Sequence, residues 1–313
     1  MPAFSTSAPG KVILFGEHAV VYGQPAIAVP VKEISAKVIA SPLINASRGV
    51  IRIEAPQVGM DSDMAELSDT DPLAAAVRAT LKALEIEQPP AFKLHISSSI
   101  PLAAGLGSGA AVSVAIARAV SAFMSKPLPD ERVSAIAFEV EKLHHGTPSG
   151  IDNTVITYKK PVYFVRGEPV QTFQVIKPFS LLIADTGIPS PTLIAVGDVR
   201  MALESEPERF DKIFRQIGEI AKKAKNAIEA GENQKLGSLM NENHGYLKEM
   251  NVSSAELDKL VEAAQAAGAL GAKLSGGGRG GNMIALVNTN DFEAVEIALQ
   301  AAGAKGMIRT TVQ

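Results

Sequence analysis

Gly105, Gly107 and Gly109 occupy alternate positions just ahead of a long apolar run, in PLAAGLGSGAAVSVAIARAV (residues 101–120). A helix N-terminus carries free backbone N–H groups and a partial positive charge, so anions bind there, and glycines let a phosphate approach the backbone closely. Ser108 stands where it could cap the helix or bind a metal. The P-loop pattern is not met, because no lysine follows the glycines, and the dinucleotide pattern is not met, because position 110 is alanine. A tight strand-to-helix turn would use the same residues.

Three further clusters bear chemistry-capable side chains. In APGKVILFGEHAVVYG (8–23), Lys11 opens an apolar strand, and Glu17 and His18 follow Gly16, where polar side chains at a strand end reach a cleft or a surface turn. In EKLHHGTPSGIDN (141–153), His144 and His145 are adjacent, a poor spacing for helical metal ligands, which need i, i+3 or i+4. Asp152 sits in a Pro/Gly loop there, and Glu139 and Glu141 flank an apolar stripe so evenly that spacing does not choose between them. In KLSGGGRGGNMIAL (273–286), five glycines surround Arg279, more than a hairpin turn needs, which points to close backbone approach to a ligand or to another loop. Together these are the parts phosphoryl transfer requires: backbone donors for phosphates, a carboxylate for Mg²⁺, a cation against developing charge, and a carboxylate near the attacking hydroxyl.

The elements that must position these residues read as α+β. The chain has 313 residues, 46% hydrophobic and 20% charged, enough for a large core and for two domains. A net charge of -3 gives no basic patch for nucleic acid, and the absence of cysteine excludes disulfides, thiolate metal sites and cysteine nucleophiles. The first residues lack a signal-peptide pattern and no apolar run reaches the roughly 18 residues of a membrane span, so a cytoplasmic protein without membrane or nucleic-acid partners is expected.

Strands are expected at 11–16, 25–31, 34–41, 49–55 and 92–97, helices from Asp71-Pro72 to about 86, at 109–124 and at 130–145, a loop over GTPSGIDN, and a hairpin over 154–167. Beyond a boundary near 178, the pattern is a strand (179–185), helices at 207–230 and 232–250, a third helix capped by Ser253 with Glu256, strands at 272–275 and 282–287, a helix (291–302) and a last strand (305–312). That order suggests a ferredoxin-like βαββαβ unit with extra helices. The expected domains are 1–178 and 179–313.

PGKVILFGEHAVVYG, PLAAGLGSGAA, HGTPSGIDN and KLSGGGRGGN resemble, in this order, the motifs of the mevalonate kinases, within the galactokinase–homoserine kinase–mevalonate kinase–phosphomevalonate kinase (GHMP) superfamily. GEHAVVYG is the discriminating piece, since galactokinases typically read G-E-H-x-D-Y there. The resemblance implies a ribosomal-protein-S5-like N-terminal domain and a ferredoxin-like C-terminal domain. The activity it implies is phosphorylation of the primary hydroxyl of mevalonate by ATP with Mg²⁺.

It assigns Gly105, Leu106, Gly107, Ser108, Gly109 and Ala110 to the ATP phosphates, Asp152 to the substrate hydroxyl, and Lys11 to stabilising the Asp152 anion and lowering the hydroxyl's pKa. Glu141, with Ser108, would ligate Mg²⁺; Glu17, His18 and Thr186, with Thr192 beside it, would hold mevalonate; and the loop at 276–281 would close over nucleotide and substrate. A homodimer is implied by the resemblance alone. The chain departs from the family twice. Many members have two consecutive serines where it reads Ser108-Gly109, and DTGIPSPT lacks the basic residues that many animal members carry there, so inhibition by prenyl diphosphates does not follow. Two other readings are another GHMP small-molecule kinase and a non-catalytic ligand sensor on the same fold; a sensor would be expected to lose Asp152, Lys11 or the phosphate loop, and all are present.

Overall fold

A computed structural model describes residues 2–101, 104–145, 148–190 and 192–313, and for His144 and His145 the helical backbone only. Leu102, Ala103, Gly146, Thr147 and Pro191, which belong to three of the motifs, lie outside the described residues. The chain divides into two units, and the paired strands β1 (Phe4–Phe15) and β2 (Ala26–Pro42) each contribute residues to both.

The first unit comprises Met1–Gly10, Ile34–Pro101 and Gly107–Lys159. Alternation of apolar and polar residues builds its sheet. β3 (Ile51–Ala55) pairs antiparallel with the edge strand β4 (Met60–Asp63) and parallel with β5 (Phe92–Ser98), placing Ile51 opposite Phe92 and Ile53 opposite Leu94. β5 in turn pairs antiparallel with β2, Val38 opposite Ile96. These apolar side chains are buried, while Lys37 and Arg52 between them are exposed.

Four helices complete the unit. α1 (Pro72–Ala83) starts where its cap predicts: Asp71 Oδ1 accepts from the N–H groups of Leu73 and Ala74, and Pro72 needs no partner at the first position. α2 (Ser108–Phe123) is apolar nearly all round and packs against α1, α3 (Asp130–His145) and α4 (Ile151–Tyr158). Its one charged residue, Arg118, is half-buried; it pairs with Asp130 at 2.7 Å and donates to the Thr157 carbonyl at 2.7 Å.

α4 corrects the expected loop and hairpin. Ile151, Val155 and Ile156 are buried, and Asn153 Nδ2 donates to the carbonyl and Oγ of Ser134 on α3, so packing makes a helix of a segment whose β-branched residues favour a strand. The strands of that stretch are only β6 (Val162–Phe164) and β7 (Gln171–Thr172). β2 is likewise one strand of 17 residues, not two. Pro30 falls between the segment that pairs with β6 (Ala26–Ala28) and the one that pairs with β5 (Ala36–Pro42), so neither ladder needs its missing N–H.

The second unit comprises Lys11–Glu33, Leu102–Leu106 and Lys160–Gln313. Its main sheet holds β8 (Phe179–Asp185), β9 (Gly271–Ser275), β10 (Asn282–Val287) and β11 (Gly306–Val312) in the order β11-β8-β10-β9, every pairing antiparallel, which is the ferredoxin-like arrangement. Helices α5 (Thr192–Ser205), α6 (Pro207–Ala230), α7 (Asn233–Glu249) and α8 (Ala255–Ala266) stand between β8 and β9, and α9 (Phe292–Ala302) between β10 and β11.

Phe210, Ile213, Phe214 and Ile217 on one stripe of α6 join Leu182, Leu274, Met283, Leu257, Leu260, Val295 and Leu299 in one core. Each such side chain contributes about 1.5–3 kcal/mol on full burial. Two details differ from expectation. The α8 cap is Ser254, whose Oγ accepts from Leu257 N–H, while Ser253 Oγ donates to Asp258. α5 was not expected: it exposes Leu193, Ile194 and Met201 and so carries no clean apolar stripe.

Candidate active site

In the second unit the site begins with a corner. β1 ends at Phe15, and Glu17 and His18 lead into a single 3₁₀ turn, Ala19–Tyr22, held by Val20 N–H to the Gly16 carbonyl at 3.0 Å. Tyr22 anchors the turn by stacking on Phe214 of α6, ring centroids 4.3 Å apart.

The Glu17 side chain is fully enclosed and forms an ion pair with Lys273 of β9, itself fully enclosed. Lys273 Nζ also donates to the Leu274 carbonyl at 2.6 Å. Burial pushes the Glu17 carboxyl up and the Lys273 ammonium down, and the contact between them opposes both shifts; Lys11 adds a second favourable charge at Glu17.

His18 is buried, and burial holds its pKa down at about 4, helped by the charges of Arg279 and Lys273. It is therefore neutral at pH 7. Its Nε2 lies 3.1 Å from the Gly277 carbonyl, which can only accept, so the proton belongs on Nε2 and Nδ1 is left as an acceptor.

β9 and the glycine turn after it fasten this corner. Ser275 Oγ donates to the Ile13 carbonyl at 2.9 Å and accepts from Ile13 N–H at 3.2 Å. Lys11, nearly buried, donates its N–H to the Leu106 carbonyl at 3.0 Å, and Asn282 Nδ2 donates to the Ala104 carbonyl, so the segment leading to the first glycine loop is tied to β1 and to β10.

Thr186 is buried, and its Oγ1 donates to the Gly281 carbonyl at 2.9 Å. The second glycine loop lies against the 186–192 segment: Ser190 Oγ donates to the Gly278 carbonyl at 2.8 Å, Gly281 N–H to the Ile188 carbonyl at 2.7 Å, and a side chain on Gly277 would collide with Thr192. Arg279 N–H donates to the Val252 carbonyl at 2.9 Å, and its guanidinium pairs with Asp198 of α5.

In the first unit the candidate residues lie on three packed helices. Ser108 opens α2 after Gly107, and no side chain caps that N-terminus, so the first-turn N–H groups of Gly109 and Ala110 keep their donor capacity. Glu141 of α3 is buried, whereas Glu139 is exposed and paired with Lys142 at 2.7 Å; of the two carboxylates spacing could not separate, Glu141 is the inward one. Asp152 stands half-buried in the first turn of α4, a turn that also lacks a side-chain cap.

The structure thus gathers Lys11, Glu17, His18, Thr186, Gly105 and Leu106 in the second unit, and Gly107, Ser108, Gly109, Ala110, Glu141 and Asp152 in the first. Sequence reasoning missed Lys273. The only signal was a charged residue inside the short strand GAKLS.

A ferredoxin-like sheet, a glycine loop at the uncapped N-terminus of α2 and a corner of buried charged side chains are parts that a small-molecule kinase uses. Residues 73–160 match the family model of the GHMP kinases N terminal domain, and residues 224–305 match that of the GHMP kinases C terminal. The chain belongs to the GHMP kinases, and within them to the family of the mevalonate kinases. It is 37% identical to the mevalonate kinase of Thermococcus gammatolerans over 96% of this chain and 94% of that protein. The crystal structure of L. major mevalonate kinase in complex with R-mevalonate superposes with a TM-score of 0.84 at 31% identity, covering 99% of this chain and 96% of that one. The Methanococcus jannaschii mevalonate kinase structure gives 0.87 at 27% identity, over 100% and 99%.

Proposed function

We propose that this chain transfers the γ-phosphoryl group of ATP to the primary hydroxyl of mevalonate, giving 5-phosphomevalonate and ADP. The observation that carries the reading is similarity to mevalonate kinases along nearly the whole chain, together with the Glu17–His18 corner, Lys11, Asp152 and the uncapped α2 N-terminus standing in the order those motifs require.

In this reading the N–H groups at the start of α2, with the Gly105–Gly109 backbone, hold the ATP phosphates. Asp152 accepts the hydrogen of the attacking hydroxyl, and Lys11 offsets the negative charge that develops. His18, neutral and with an accepting Nδ1, and Thr186 hold the acceptor beside the Glu17 corner.

Among the described residues no three or more His, Cys, Asp or Glu side chains form a ready metal cage. Mg²⁺ that rides on nucleotide phosphates needs only one or two protein carboxylates, so buried Glu141, with Ser108 at the α2 N-terminus, fits as its protein ligand set. When bound, the ion would neutralise charge on the β- and γ-phosphates. Among the described residues no helix is long and apolar enough to cross a membrane, and we place the reaction in the cytoplasm, with the ATP it consumes.

The test is ADP release with Mg-ATP and one acceptor at a time: mevalonate, 5-phosphomevalonate, galactose and homoserine, with the product's position read by phosphorus NMR. Turnover on mevalonate alone, at the primary hydroxyl, is expected. Turnover on another acceptor keeps the kinase and overturns the substrate. No turnover on any, with ATP still bound, overturns the enzyme reading in favour of a sensor.

A further inference from the structure

We propose that Lys273 is a positioning residue for the acceptor, acting through Glu17 on the corner that carries His18. The proposal rests on the reading of that corner as acceptor-binding.

The geometry that supports it is a period of two. Lys273 and Ser275 occupy alternate positions of β9 and so share a face, and Gly277 follows in the turn, after Gly276 with its φ of +92. All three fasten the same segment: Lys273 pairs with Glu17, Ser275 makes two hydrogen bonds to Ile13, and the Gly277 carbonyl meets His18 Nε2. β9 therefore acts as a strap across residues 13–18, and Lys273 is its innermost fastening.

The chemistry of the pair argues for positioning over plain stability. Both side chains are wholly enclosed, so as they stand neither touches a ligand, and Lys273 can act on one only through its partner. A fully buried ion pair is a poor way to gain stability, since two apolar residues of similar volume usually do as well or better. What a buried pair gives instead is direction. Lys273 Nζ is fixed twice, by Glu17 Oε1 and by the Leu274 carbonyl, so the carboxylate is held in one orientation.

Behind it, His244 of α7 faces the Leu274 N–H through Nδ1 at 3.4 Å and is kept neutral, its pKa lowered to about 4 chiefly by burial. On its far side His244 Nε2 faces the Asp258 carboxylate at 3.2 Å, which pairs with Lys248 at 2.8 Å, so the neutral imidazole stands between that pair and Lys273. Glu17 Oε2 is buried and has no hydrogen-bond partner among the described residues; Lys273 holds the other carboxylate oxygen, and the Glu17 backbone N–H and the charge of Lys11 also favour the anion. Without Lys273 the carboxylate is a buried charge, and the Glu17–His18 corner loses its inner tether.

The test compares Lys273→Met and the double variant Lys273→Met/Glu17→Gln with the parent, reading KM for mevalonate, KM for ATP, kcat and Tm. Lys273→Met is expected to raise KM for mevalonate at least about tenfold, the rough worth of one charge-assisted hydrogen bond, with KM for ATP nearly unchanged. The double variant removes the orphaned charge, so its Tm should return towards the parent's while KM for mevalonate stays high. If Lys273→Met does not fold, the double variant carries the test.

A folded double variant with the parent's KM for mevalonate overturns the proposal, because the pair is then packing only. A parallel rise of both KM values overturns it too, because that is general loosening. His18→Ala separates the two layers. If it leaves KM for mevalonate at the parent's value, the acceptor-binding reading of the corner has failed and the proposal falls with it; if it raises KM while the Lys273 variants do not, only the positioning role is lost.

Discussion

The two glycine loops look alike in sequence and are built for opposite purposes. At Gly105 and Gly109 an added Cβ would meet nothing within 4 Å. In the second loop a Cβ on Gly277 would strike Thr192, on Gly278 the Val252 carbonyl, on Gly280 the carbonyls of Ile188 and Pro189, and on Gly281 it would press on Ser190. The first loop leaves room beside uncapped helix N–H groups, as a loop that admits a ligand must. The second has spent four of its five glycines, all but Gly276, on packing against Ile188, Pro189, Ser190, Thr192 and Val252. Glycine-richness alone therefore does not mark a phosphate site; an uncapped helix N-terminus with open space beside its glycines is what the first loop has and the second lacks.

The sharpest way to break this contrast is Gly278→Ala. Its φ of +76 disfavours any side chain, and the new methyl would meet backbone, which cannot rotate away. Left-handed strain and overpacking together are expected to cost about 3 kcal/mol or more, read as a large fall in Tm. A Tm unchanged from the parent would mean that the second loop is as loose as the first.

Acid should separate the loops next. His18 ties the corner to the Gly277 carbonyl, and its folded pKa of about 4 lies below the ordinary histidine value of 6.5. The unfolded chain therefore binds more protons between those values, and stability falls as pH drops through that window. His244, also lowered to about 4, adds in the same direction. Going from pH 7 to pH 5 should remove about 2 kcal/mol per histidine, an order-of-magnitude figure, measured by denaturant titration at both pH values. In His18→Asn the loss between the two pH values should shrink; an undiminished loss would put the acid sensitivity elsewhere.

Gly105→Ala is the counterpart of Gly278→Ala. Its φ of +74 carries the same left-handed strain, about 1 kcal/mol, but the methyl has no neighbour to strike. Stability should drop modestly, while KM for ATP rises at least about tenfold if the phosphates approach there. A small Tm change with a large KM change in one loop, and the reverse in the other, would fix the contrast.

How much of this was legible in the sequence depends on how far apart the partners lie. β8, β10 and α6 fall at the expected residues because their patterns are local: apolar runs bounded by turns, and an apolar stripe of helical period. The ferredoxin-like order followed from them. α4 was not legible, because its reason for being a helix is the surface of α2 and α3 that it covers, and its own residues argue otherwise. Glu141 over Glu139 needed the packed helices to decide. Lys273 is the extreme case: its meaning lies in a carboxylate 256 residues away, and its own neighbourhood shows only a charged residue inside a buried strand. The residues that carry motifs were legible; those that hold the motifs in place were not.

Gly109→Ser tests the first loop at its least constrained point. Gly109 lies in the first turn of α2, its φ is not in the left-handed range, and its side-chain direction is open. Serine there loses nothing to collision and improves helix propensity, so stability should change by no more than about 0.5 kcal/mol, in the favourable direction. The new hydroxyl would restore the consecutive serines that this chain lacks. If Ser108 and Glu141 already complete the protein's share of the Mg²⁺ ligands, the dependence of rate on Mg²⁺ concentration should not move. If a place was vacant, half-maximal rate should be reached at lower Mg²⁺. A loss of activity as large as that of Gly105→Ala would mean that the open space beside Gly109 belongs to the nucleotide itself, and that glycine is there because the phosphates come closer to α2 than a second serine permits.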